Sequence, residues 1–423
     1  MTELALGQAA PLTLGTAGHI DHGKTALIKA LTGVDTDRLP EEQARGISIA
    51  LGYASLSLPS GRTLSVIDVP GHERFVRTMV AGATGIDLYL MVIAADDGVM
   101  PQTREHAMVL RALGVERGIV AITKSDLADP ELAMFEATEL LPGSEVVRVS
   151  APTGEGLDAV LAALERAATA VRSRAEQAAV TRLHIDRAFT IRGAGTVVTG
   201  TLWSGSVGHG EELQLLPIGR RVRVRGVQVH DRVVERAAAG QRVAVNLVGV
   251  PVSDVARGDV LTSRGAALVP TFLIDTELAF DAHELDLVDS AATHGERVQV
   301  HHGTREATAR LSWLGGRFWQ IRLEHPLVPM AGDRLVVRRI APPDTLGGGI
   351  VLDPHPRKHG PSRALLTKLE RLARGEPPGD ENERRRVPAP ARPEASSEPA
   401  PLSTEALALE RRLRDAGFEP PLD

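Results

Sequence analysis

The segment GHIDHGKT, residues 18–25, constrains the fold more than any other stretch of the chain. It lies between the apolar run LTLGTA and the helical pattern KTALIKALT, and it fits G-x-x-x-x-G-K-[ST] with Gly18, Gly23, Lys24 and Thr25 in the fixed positions. A loop of this kind joins a strand to a helix and presents backbone N–H groups to phosphate oxygens. The alternative is a purely structural turn. The segment therefore favours an α/β domain that binds a nucleotide phosphate.

Residue types within this loop suit a phosphate ligand. Lys24 neutralises phosphate charge, and the Thr25 hydroxyl is a suitable oxygen ligand for Mg²⁺. The backbone of the loop curls around the phosphate oxygens at the start of the following helix. The remaining loop residues of this predicted nucleotide site are His19, Ile20, Asp21 and His22.

Two patterns of secondary structure divide the chain. From residue 12 onward, β-rich runs alternate with helical patterns, which predicts a mostly parallel sheet flanked by helices. Near residue 180 the sequence changes to short strands with recurring turn signals, which predicts two small β-barrels. The predicted fold class is multidomain: an α/β P-loop domain, two β-barrels, and a partly disordered C-terminal segment with a short helix. The predicted domains are residues 12–172, 180–266 and 269–353, with 357–423 as a linker and the start of an incomplete helical region.

Residues after Pro356 carry a weaker pattern. Gly375–Pro401 is rich in Pro, Glu and Arg, which predicts a disordered linker. Ser403–Ala416 places three aliphatic side chains on one helical face, which predicts a short helix. One helix cannot bury that face alone, so we expect it to dock elsewhere or to begin a module that this chain does not complete.

Composition excludes several classes of function. The 423 residues include no cysteine, which excludes disulfides, cysteine–zinc sites and thiol catalysis. An N-terminal signal segment and a membrane-length apolar run are both absent from the sequence, so we expect a cytoplasmic protein with no membrane partner. The net charge of -6 argues against coating nucleic acid through overall charge and leaves room for a local basic face. Of the five lysines, two lie in nucleotide motifs.

A second motif, DVPGH, follows the apolar run TLSVI. Asp68 lies at the tip of the predicted strand, where its carboxylate holds Mg²⁺ through water. Gly71 lets the backbone approach the terminal phosphate, and His72 follows it directly. A lone exposed histidine is usually only a surface residue, but this position predicts that His72 acts catalytically by placing the attacking water.

A third motif, TKSD, selects the base. Asp126 accepts the ring N–H and the exocyclic amine of guanine, a donor pair that adenine does not offer. Lys124 lies along the ring, and Thr123 completes the motif. In the later segment SAPTGEGL, Ser150 and Ala151 are placed for a backbone N–H to meet the guanine carbonyl. Together the motifs predict binding of GTP and GDP with Mg²⁺.

In this order and spacing, the motifs resemble those of the translational GTPases, such as elongation factor Tu and its relatives. The family usually has Asn at the position of Thr123 and Thr at the position of Ser48 in RGISI. The resemblance implies that Ser48 ligates Mg²⁺ together with Thr25 and Asp68. It also implies that GTP orders the loop around Arg45–Ile49 and that hydrolysis releases this loop.

Three longer stretches resemble the selenocysteine-specific elongation factors: TAGHIDHGKTALIKALTGVDTDRLPEEQARGISIALGYA, LHIDRAFTIRGAGTVVTGTL and VQVHHGTREATAR. The likeness runs from about Leu12 to Leu352. It implies a monomeric, ribosome-stimulated GTPase that carries selenocysteinyl-tRNA to the ribosome at recoded stop codons, with GTP hydrolysis driving release. Bacterial relatives continue into winged-helix modules that bind an mRNA insertion hairpin, so we expect hairpin binding only if those modules are present.

The same resemblance places an aminoacyl pocket on the first barrel at Asp186, Arg187 and Arg242. A selenol is largely anionic at neutral pH and pairs with guanidinium groups, whereas a neutral seryl group leaves those charges unpaired. The alternative is an ordinary surface ion pair. Adjacent residues of a regular strand point to opposite faces, so Asp186 and Arg187 share a pocket only at a bulge or a strand end.

Other interpretations stay open. One is a different tRNA-carrying GTPase, such as an initiation factor subunit, and another is an RNA-binding regulator with negligible turnover. The alternating Arg221, Arg223 and Arg225 form either an RNA contact or a solvated face. His301 and His302 invite a metal, but strand neighbours point apart, so we expect one to face inward, one outward, and no metal.

Overall fold

The computed structural model describes residues 10–45, 48–72, 75–176, 180–193, 195–280 and 292–376. The helix predicted at Ser403–Ala416 and most of the predicted linker lie outside these residues. Within them, every helix is too short or too polar to cross a membrane.

The first domain is one sheet with helices on both faces. Its elements are β1 (Leu12–Ala17), α1 (Lys24–Thr32), α2 (Pro40–Arg45), β2 (Gly52–Ser57), β3 (Thr63–Asp68), α3 (Val76–Ala83), β4 (Leu88–Ala94), α4 (Pro101–Ala112), β5 (Gly118–Thr123), α5 (Glu131–Leu140), β6 (Glu145–Arg148) and α6 (Leu157–Thr169). The strand order is β2–β3–β1–β4–β5–β6; β2 lies antiparallel to β3, and the other neighbouring pairs are parallel. Strands β1 and β4 are buried throughout, as expected where helices cover both faces.

The carboxyl ends of β1, β3 and β5 carry the three sequence motifs. β1 leads into residues 18–25, β3 ends at Asp68 and β5 ends at Thr123. Because these strands are parallel, their ends meet at one edge of the sheet, which is where ligands bind in open α/β folds. The fold therefore brings together motifs that are about fifty residues apart in sequence.

The second domain is a β-barrel, here called barrel 1. Its strands are β7 (Arg182–Ile191), β8 (Gly195–Ser204), β9 (Ser206–Gly208), β10 (Glu212–Leu216), β11 (Arg220–Val229), β12 (Arg232–Val234), β13 (Arg236–Ala238), β14 (Arg242–Val248) and β15 (Val260–Ser263). The order β10–β15–β7–β8–β14–β11 closes through the pairing of β10 with β11. Along β11, Val222 and Val224 are buried whereas Arg221, Arg223 and Arg225 are exposed, so these arginines face outward.

The third domain is a second closed barrel, here called barrel 2. Its strands are β16 (Thr271–Phe280), β17 (Arg297–His302), β18 (Arg305–Gly315), β19 (Phe318–Leu327), β20 (Arg334–Arg339) and β21 (Asp344–Asp353). They close in the order β16–β19–β18–β17–β20–β21. The barrel interior is a single cluster of buried aliphatic and aromatic side chains, including Ile274, Val300 and Ile321.

The adjacent histidines of β17 are both buried, whereas we expected one of them to face solvent. His301 is covered because α3 of the first domain packs against β17, with Arg77 beside it. His302 contacts the carboxylate of Asp333 through Nε2 at 2.8 Å. The outer face of this strand is an interdomain surface, which the strand pattern alone does not reveal.

A helix that we did not predict from the sequence, α7 (Arg363–Ala373), follows barrel 2. The Ser362 hydroxyl accepts the Leu365 N–H at 3.2 Å and caps the helix. Leu369 is fully buried against apolar side chains of barrel 2. The helix is therefore attached to the barrel through one face.

A buried ion-pair cluster joins the two barrels. Arg182 of barrel 1 donates to both carboxylate oxygens of Asp333 at 2.9 and 2.7 Å, and His302 contacts the same carboxylate. Burial alone would raise the pKa of Asp333, but His302 and Arg182 together hold it far below its usual range. The guanidinium of Arg182 and the carboxylate of Asp333 are almost fully buried, so water cannot replace either partner if the other is removed.

Candidate nucleotide and aminoacyl sites

Backbone geometry explains the glycines of the loop at residues 18–25. Gly18 has a φ of 131° and Gly23 a φ of 82°, values that favour glycine. A Cβ on Gly18 would collide with the carbonyl oxygen of Val92. Gly23 caps α1, so the positive end of that helix faces the loop. The loop is thus shaped for an anion by residues that the sequence motif identifies.

Lys24 lies inside this loop. Its Nζ donates to the His19 carbonyl at 2.5 Å, and burial lowers the pKa of the ammonium to about 8, against the opposing effect of Asp68. A Cβ on Gly71 would collide with that Nζ and with the backbone N of Ile20. The second motif therefore approaches the first as closely as a glycine permits.

The three predicted Mg²⁺ ligands lie together. The Thr25 hydroxyl donates to Asp68 at 2.9 Å, and its oxygen lies 3.1 Å from that of Ser48. Asp68 also accepts from the hydroxyls of Thr16 at 2.8 Å and Thr36 at 2.6 Å. All these side chains present hard oxygen atoms, which are the ligands that Mg²⁺ prefers, so the residues fit this ion. Among the described residues, no group of three or more His, Asp or Glu side chains could hold a metal ion.

Asp37 belongs to this group although the sequence analysis did not select it. The Ser48 hydroxyl donates to Asp37 at 2.7 Å, and burial raises the pKa of that carboxyl. Glu42 holds the same segment by accepting the N–H groups of Ile49 at 3.0 Å and Ala50 at 2.9 Å. The signal was available in the acidic run DTDRLPEE before RGISI, but nothing in its spacing indicates which carboxylate meets Ser48.

A cavity of about 560 Å³ opens over these side chains. This volume lies within the range of small-molecule sites, roughly 300–1,000 Å³. Its lining includes Lys24, Thr25, Ser48 and Gly71 together with the carboxylates of Asp21, Asp35, Asp37 and Glu42. His72 follows Gly71 but is outside this lining; its ring packs edge-on against Phe75 at 5.9 Å.

The residues of the third motif differ in burial: one contacts the phosphate loop, and another is open to solvent. The Thr123 hydroxyl is buried and donates to the His22 carbonyl at 2.7 Å, so it braces the phosphate loop. Nζ of Lys124 lies 3.0 Å from the Asp96 carboxylate. Asp126 is exposed. Among these side chains, the carboxylate of Asp126 is therefore the one open to a base.

Ser150 and Ala151 lie in the turn after β6. Ser150 is fully buried, and its N–H donates to the Glu155 carbonyl at 2.9 Å. Its hydroxyl accepts the Thr153 N–H at 3.3 Å. Because the Ser150 amide is engaged within the turn, the amide of Ala151 is the better candidate for the guanine carbonyl.

The aminoacyl candidates on barrel 1 meet at a β-bulge. The register between β7 and β8 shifts between Ile185 and Arg187, so Asp186 is the extra residue and the usual alternation is interrupted. Asp186 forms a buried ion pair with Arg242 and accepts the Thr199 hydroxyl at 2.8 Å. Burial alone would raise the pKa of Asp186, but Arg242 and Thr199 more than offset it, and the pKa is lowered.

Tyr53 from β2 joins the two arginines of this group and was not selected from the sequence. The Arg242 guanidinium lies 3.4 Å from the centre of the Tyr53 ring, and that of Arg187 lies 5.4 Å from it. Burial raises the Tyr53 pKa to about 12. Arg187 also donates to the Leu51 carbonyl at 3.0 Å. The pocket candidates therefore contact the strand that follows Ser48.

Comparisons with known proteins match three family models. The models are Elongation factor Tu GTP binding domain over residues 11–170, Elongation factor Tu domain 2 over 195–262, and Selenocysteine-specific elongation factor, beta-barrel domain over 283–358. Among solved structures, a bacterial selenocysteine-specific elongation factor EF-Sec matches with a TM-score of 0.78 at 34% identity, over 86% of this chain and 62% of that one. Elongation factor SelB from Methanococcus maripaludis, in complex with the GTP analogue GppNHp, matches with a TM-score of 0.72 at 28% identity, over 85% and 81%.

Curated relatives carry the name selenocysteine-specific elongation factor. That of Desulfomicrobium baculatum is 45% identical over 82% of this chain, and that of Escherichia coli K12 is 38% identical over 87%. The chain spans only 56% and 60% of the length of these two relatives. It spans 80% of the Methanocaldococcus jannaschii protein, to which it is 32% identical over 81% of its own residues. The chain therefore belongs to the selenocysteine-specific elongation factor family of translational GTPases.

Proposed function

We propose that the chain binds and hydrolyses GTP and, in the GTP form, carries selenocysteinyl-tRNA to the ribosome at recoded stop codons. Residues 12–172 bind the nucleotide, residues 180–266 hold the aminoacyl group, and residues 269–353 support both. The observation that carries the proposal is that the phosphate loop, the oxygen ligands and Asp126 lie at one edge of the sheet, in a chain whose first barrel carries the arginine-paired bulge at Asp186. The names of the relatives support the choice of cargo.

Each part of the nucleotide has a proposed partner. The amides of residues 18–25 and Lys24 bind the phosphates, and Asp126 with the Ala151 amide reads guanine. Mg²⁺, held by Thr25, Ser48 and Asp68, supplies positive charge beside the terminal phosphates. Ser48 precedes β2, and Tyr53 of β2 contacts Arg242 of the proposed aminoacyl pocket. Loss of the terminal phosphate therefore releases a segment that leads directly to this pocket.

Base selection is tested with Asp126→Asn. The amide keeps one oxygen that accepts the ring N–H but places an NH2 donor opposite the exocyclic amine of guanine, so guanine loses one hydrogen bond. Xanthine has a carbonyl in place of that amine and therefore gains one. Fluorescent GDP should bind the variant at least tenfold more weakly, and xanthosine diphosphate more tightly than it binds the parent. Asp129→Asn, an exposed aspartate three residues on, is the control. Equal GDP affinity in parent and variant would remove Asp126 from the site.

The role of His72 is tested with His72→Ala. We expect GTP affinity to remain while ribosome-stimulated hydrolysis falls by about a hundredfold or more, since positioning of the attacking water is lost. Phosphate release is measured under single turnover with saturating ribosomes. Unchanged turnover would show that another group places the water.

The aminoacyl pocket is tested by its preference for a selenolate. Arg187→Gln keeps the Asp186–Arg242 pair and removes one guanidinium, so we expect the affinity ratio between selenocysteinyl-tRNA and seryl-tRNA to fall. Arg242→Gln should reduce it further but also leaves Asp186 buried without its partner, at a cost of about 3–5 kcal/mol in unfolding free energy. Arg264→Gln, which disrupts an exposed ion pair on the same barrel, is the control. An unchanged ratio in both pocket variants would refute the assignment.

A further inference from the structure

Helix α4 connects the nucleotide loop to barrel 2 through two adjacent residues. Nδ1 of His106 accepts the N–H of Gly18 at 2.9 Å. The carboxylate of Glu105 accepts from Nη2 of Arg338 at 3.0 Å and from the hydroxyl of Thr345 at 2.9 Å. One side chain therefore contacts the first residue of the loop, and its neighbour contacts the barrel.

The bond between His106 and Gly18 is buried and has one chemical form. The His106 side chain is fully buried, and burial lowers the pKa of the imidazole to about 3, so the ring is neutral at working pH. Since Nδ1 accepts, the ring proton lies on Nε2. The backbone of Gly18 is packed so closely that a Cβ would collide with the Val92 carbonyl. Without His106, the Gly18 N–H would be a buried donor with no partner at this position.

The contact between α4 and barrel 2 is also largely buried. The side chain of Arg338 is 7% exposed and that of Glu105 is 20% exposed. Nε of Arg338 donates to the Thr345 hydroxyl at 3.1 Å, which closes a triangle of three side chains. Val336 of β20 belongs to the same hydrophobic core as Val109 of α4. The position of the helix therefore depends on the barrel.

We propose that His106 is a positioning residue of the nucleotide site and that α4 couples docking of barrel 2 to nucleotide affinity. The docked barrel holds α4 through Glu105, and α4 holds Gly18 through His106, so the loop is ordered before the phosphates arrive. Coupling between two binding equilibria is reciprocal, so bound nucleotide strengthens the docking of the barrel by the same factor. This inference rests on the proposed binding of guanine nucleotide at residues 18–25.

The positioning role is tested by the release rate of fluorescent GDP from the full chain. His106→Leu removes the acceptor, and we expect release about tenfold faster, the size of effect that an unpaired buried donor produces. His106→Asn keeps an acceptor near the position of Nδ1 and should restore most of the slow release, which a purely structural role would not explain. His209→Leu, at an exposed histidine of barrel 1, should release GDP at the parent rate. Parent-like release from His106→Leu would overturn the role.

The coupling is tested by combining variants. Arg338→Met and Thr345→Val each remove one donor to Glu105 and should speed GDP release, whereas in the His106→Leu background neither should add a further effect. Two variants guard against the failure of either one to fold, which circular dichroism detects. Effects that multiply in the double variants would overturn the relay through α4. Failure of the parent to bind GDP would refute the proposed function, whereas a parent that binds and variants that all release at its rate would refute this inference alone.

Discussion

The Thr123 hydroxyl stabilises the phosphate loop by donating a hydrogen bond to the His22 carbonyl. Thr123→Val keeps the shape and removes the donor, so the buried carbonyl loses this partner at a cost of about 1–3 kcal/mol in unfolding free energy. Urea unfolding of the nucleotide-free chain measures the cost, and Thr123→Ser, which keeps the hydroxyl, is the control. Equal stability of the valine and threonine chains would show that the hydrogen bond contributes nothing net.

Gly71 permits the close approach of the second motif to the first. In Gly71→Ala the added methyl would collide with Nζ of Lys24 and the backbone of Ile20, so the ammonium must move away from the phosphates. We expect GTP affinity to fall by tenfold or more while the fold is retained, since the ammonium contributes a charge-assisted contact. Isothermal titration calorimetry measures the affinity, with Gly360→Ala, at a glycine in open surroundings and outside the left-handed region, as control. Parent-like affinity in Gly71→Ala would contradict the proposed phosphate position.

The positions of Gly18, Lys24 and Asp68 at the candidate nucleotide site could be predicted from sequence, because a motif fixes the backbone at each of them. The contacts of Tyr53 with the aminoacyl candidates and of His106 with Gly18 could not be predicted, because each joins distant parts of the chain. Thr123 was found by its motif, but its partner was not, since a hydroxyl reaches only what the fold places within about 3 Å of it.

At the scale of elements, α7 packs on barrel 2 around one fully buried side chain, Leu369. Leu369→Ala removes a fully buried leucine side chain and should weaken the docking of α7 on barrel 2 by about 2–5 kcal/mol. We expect trypsin to cleave at the arginines of α7 markedly faster in the variant, followed by mass spectrometry. Thr367→Ala, on the exposed face of the same helix, should be cleaved at the parent rate. Equal cleavage of parent and Leu369→Ala would show that this contact does not hold the helix.

Elements of the first domain follow from the sequence because their hydrophobic patterns are strong and the strands are buried on both faces. From the sequence, a bulge or a strand end is only a requirement for Asp186 and Arg187 to share a pocket. Its position at Asp186 could not be predicted, since nothing local in IDRAF indicates an extra residue in the strand. The spacing of Leu365, Leu369 and Leu372 suits a helix, but its apolar face is meaningful only against barrel 2. Elements whose stability depends on tertiary contacts are the ones that the pattern leaves undecided.

At the scale of the whole molecule, buried histidines make the fold sensitive to acid. Burial lowers the pKa of His106 and His301 to about 3, whereas each titrates near 6.5 when unfolded. Because the folded pKa is the lower one, the stability gained from neutral rings is complete above about pH 6.5 and is lost as the pH falls toward the folded value. Each ring contributes a slope of about 1.4 kcal/mol per pH unit in this window.

Urea unfolding at pH 7, 6 and 5 tests this sensitivity. His301→Leu removes one titrating ring, so the fall in unfolding free energy between pH 6 and pH 5 should be smaller than in the parent by about 1 kcal/mol. His209→Leu, at an exposed ring, should leave the slope unchanged. Equal slopes in parent and His301→Leu would contradict the assignment of the acid sensitivity to buried rings.

The buried ion-pair cluster between the two barrels depends on the carboxylate of Asp333. Asp333→Ala leaves Arg182 buried without its carboxylate, which should lower the free energy of unfolding by about 3–5 kcal/mol. Differential scanning calorimetry measures the loss, and Asp254→Ala, which removes an exposed partner of Arg220, should cost less than about 1 kcal/mol. Similar losses in the two variants would show that the buried cluster has no special role in joining the barrels.

Protection of the aminoacyl ester by the GTP-loaded chain tests the proposed carrier function. Selenocysteinyl-tRNA and seryl-tRNA are incubated side by side with the same excess of protein, and ester hydrolysis is followed over time. We expect the selenocysteinyl ester to be strongly protected while the seryl ester hydrolyses at the rate of the free tRNA. Equal protection of both esters, or protection of neither, would contradict the proposed carrier function.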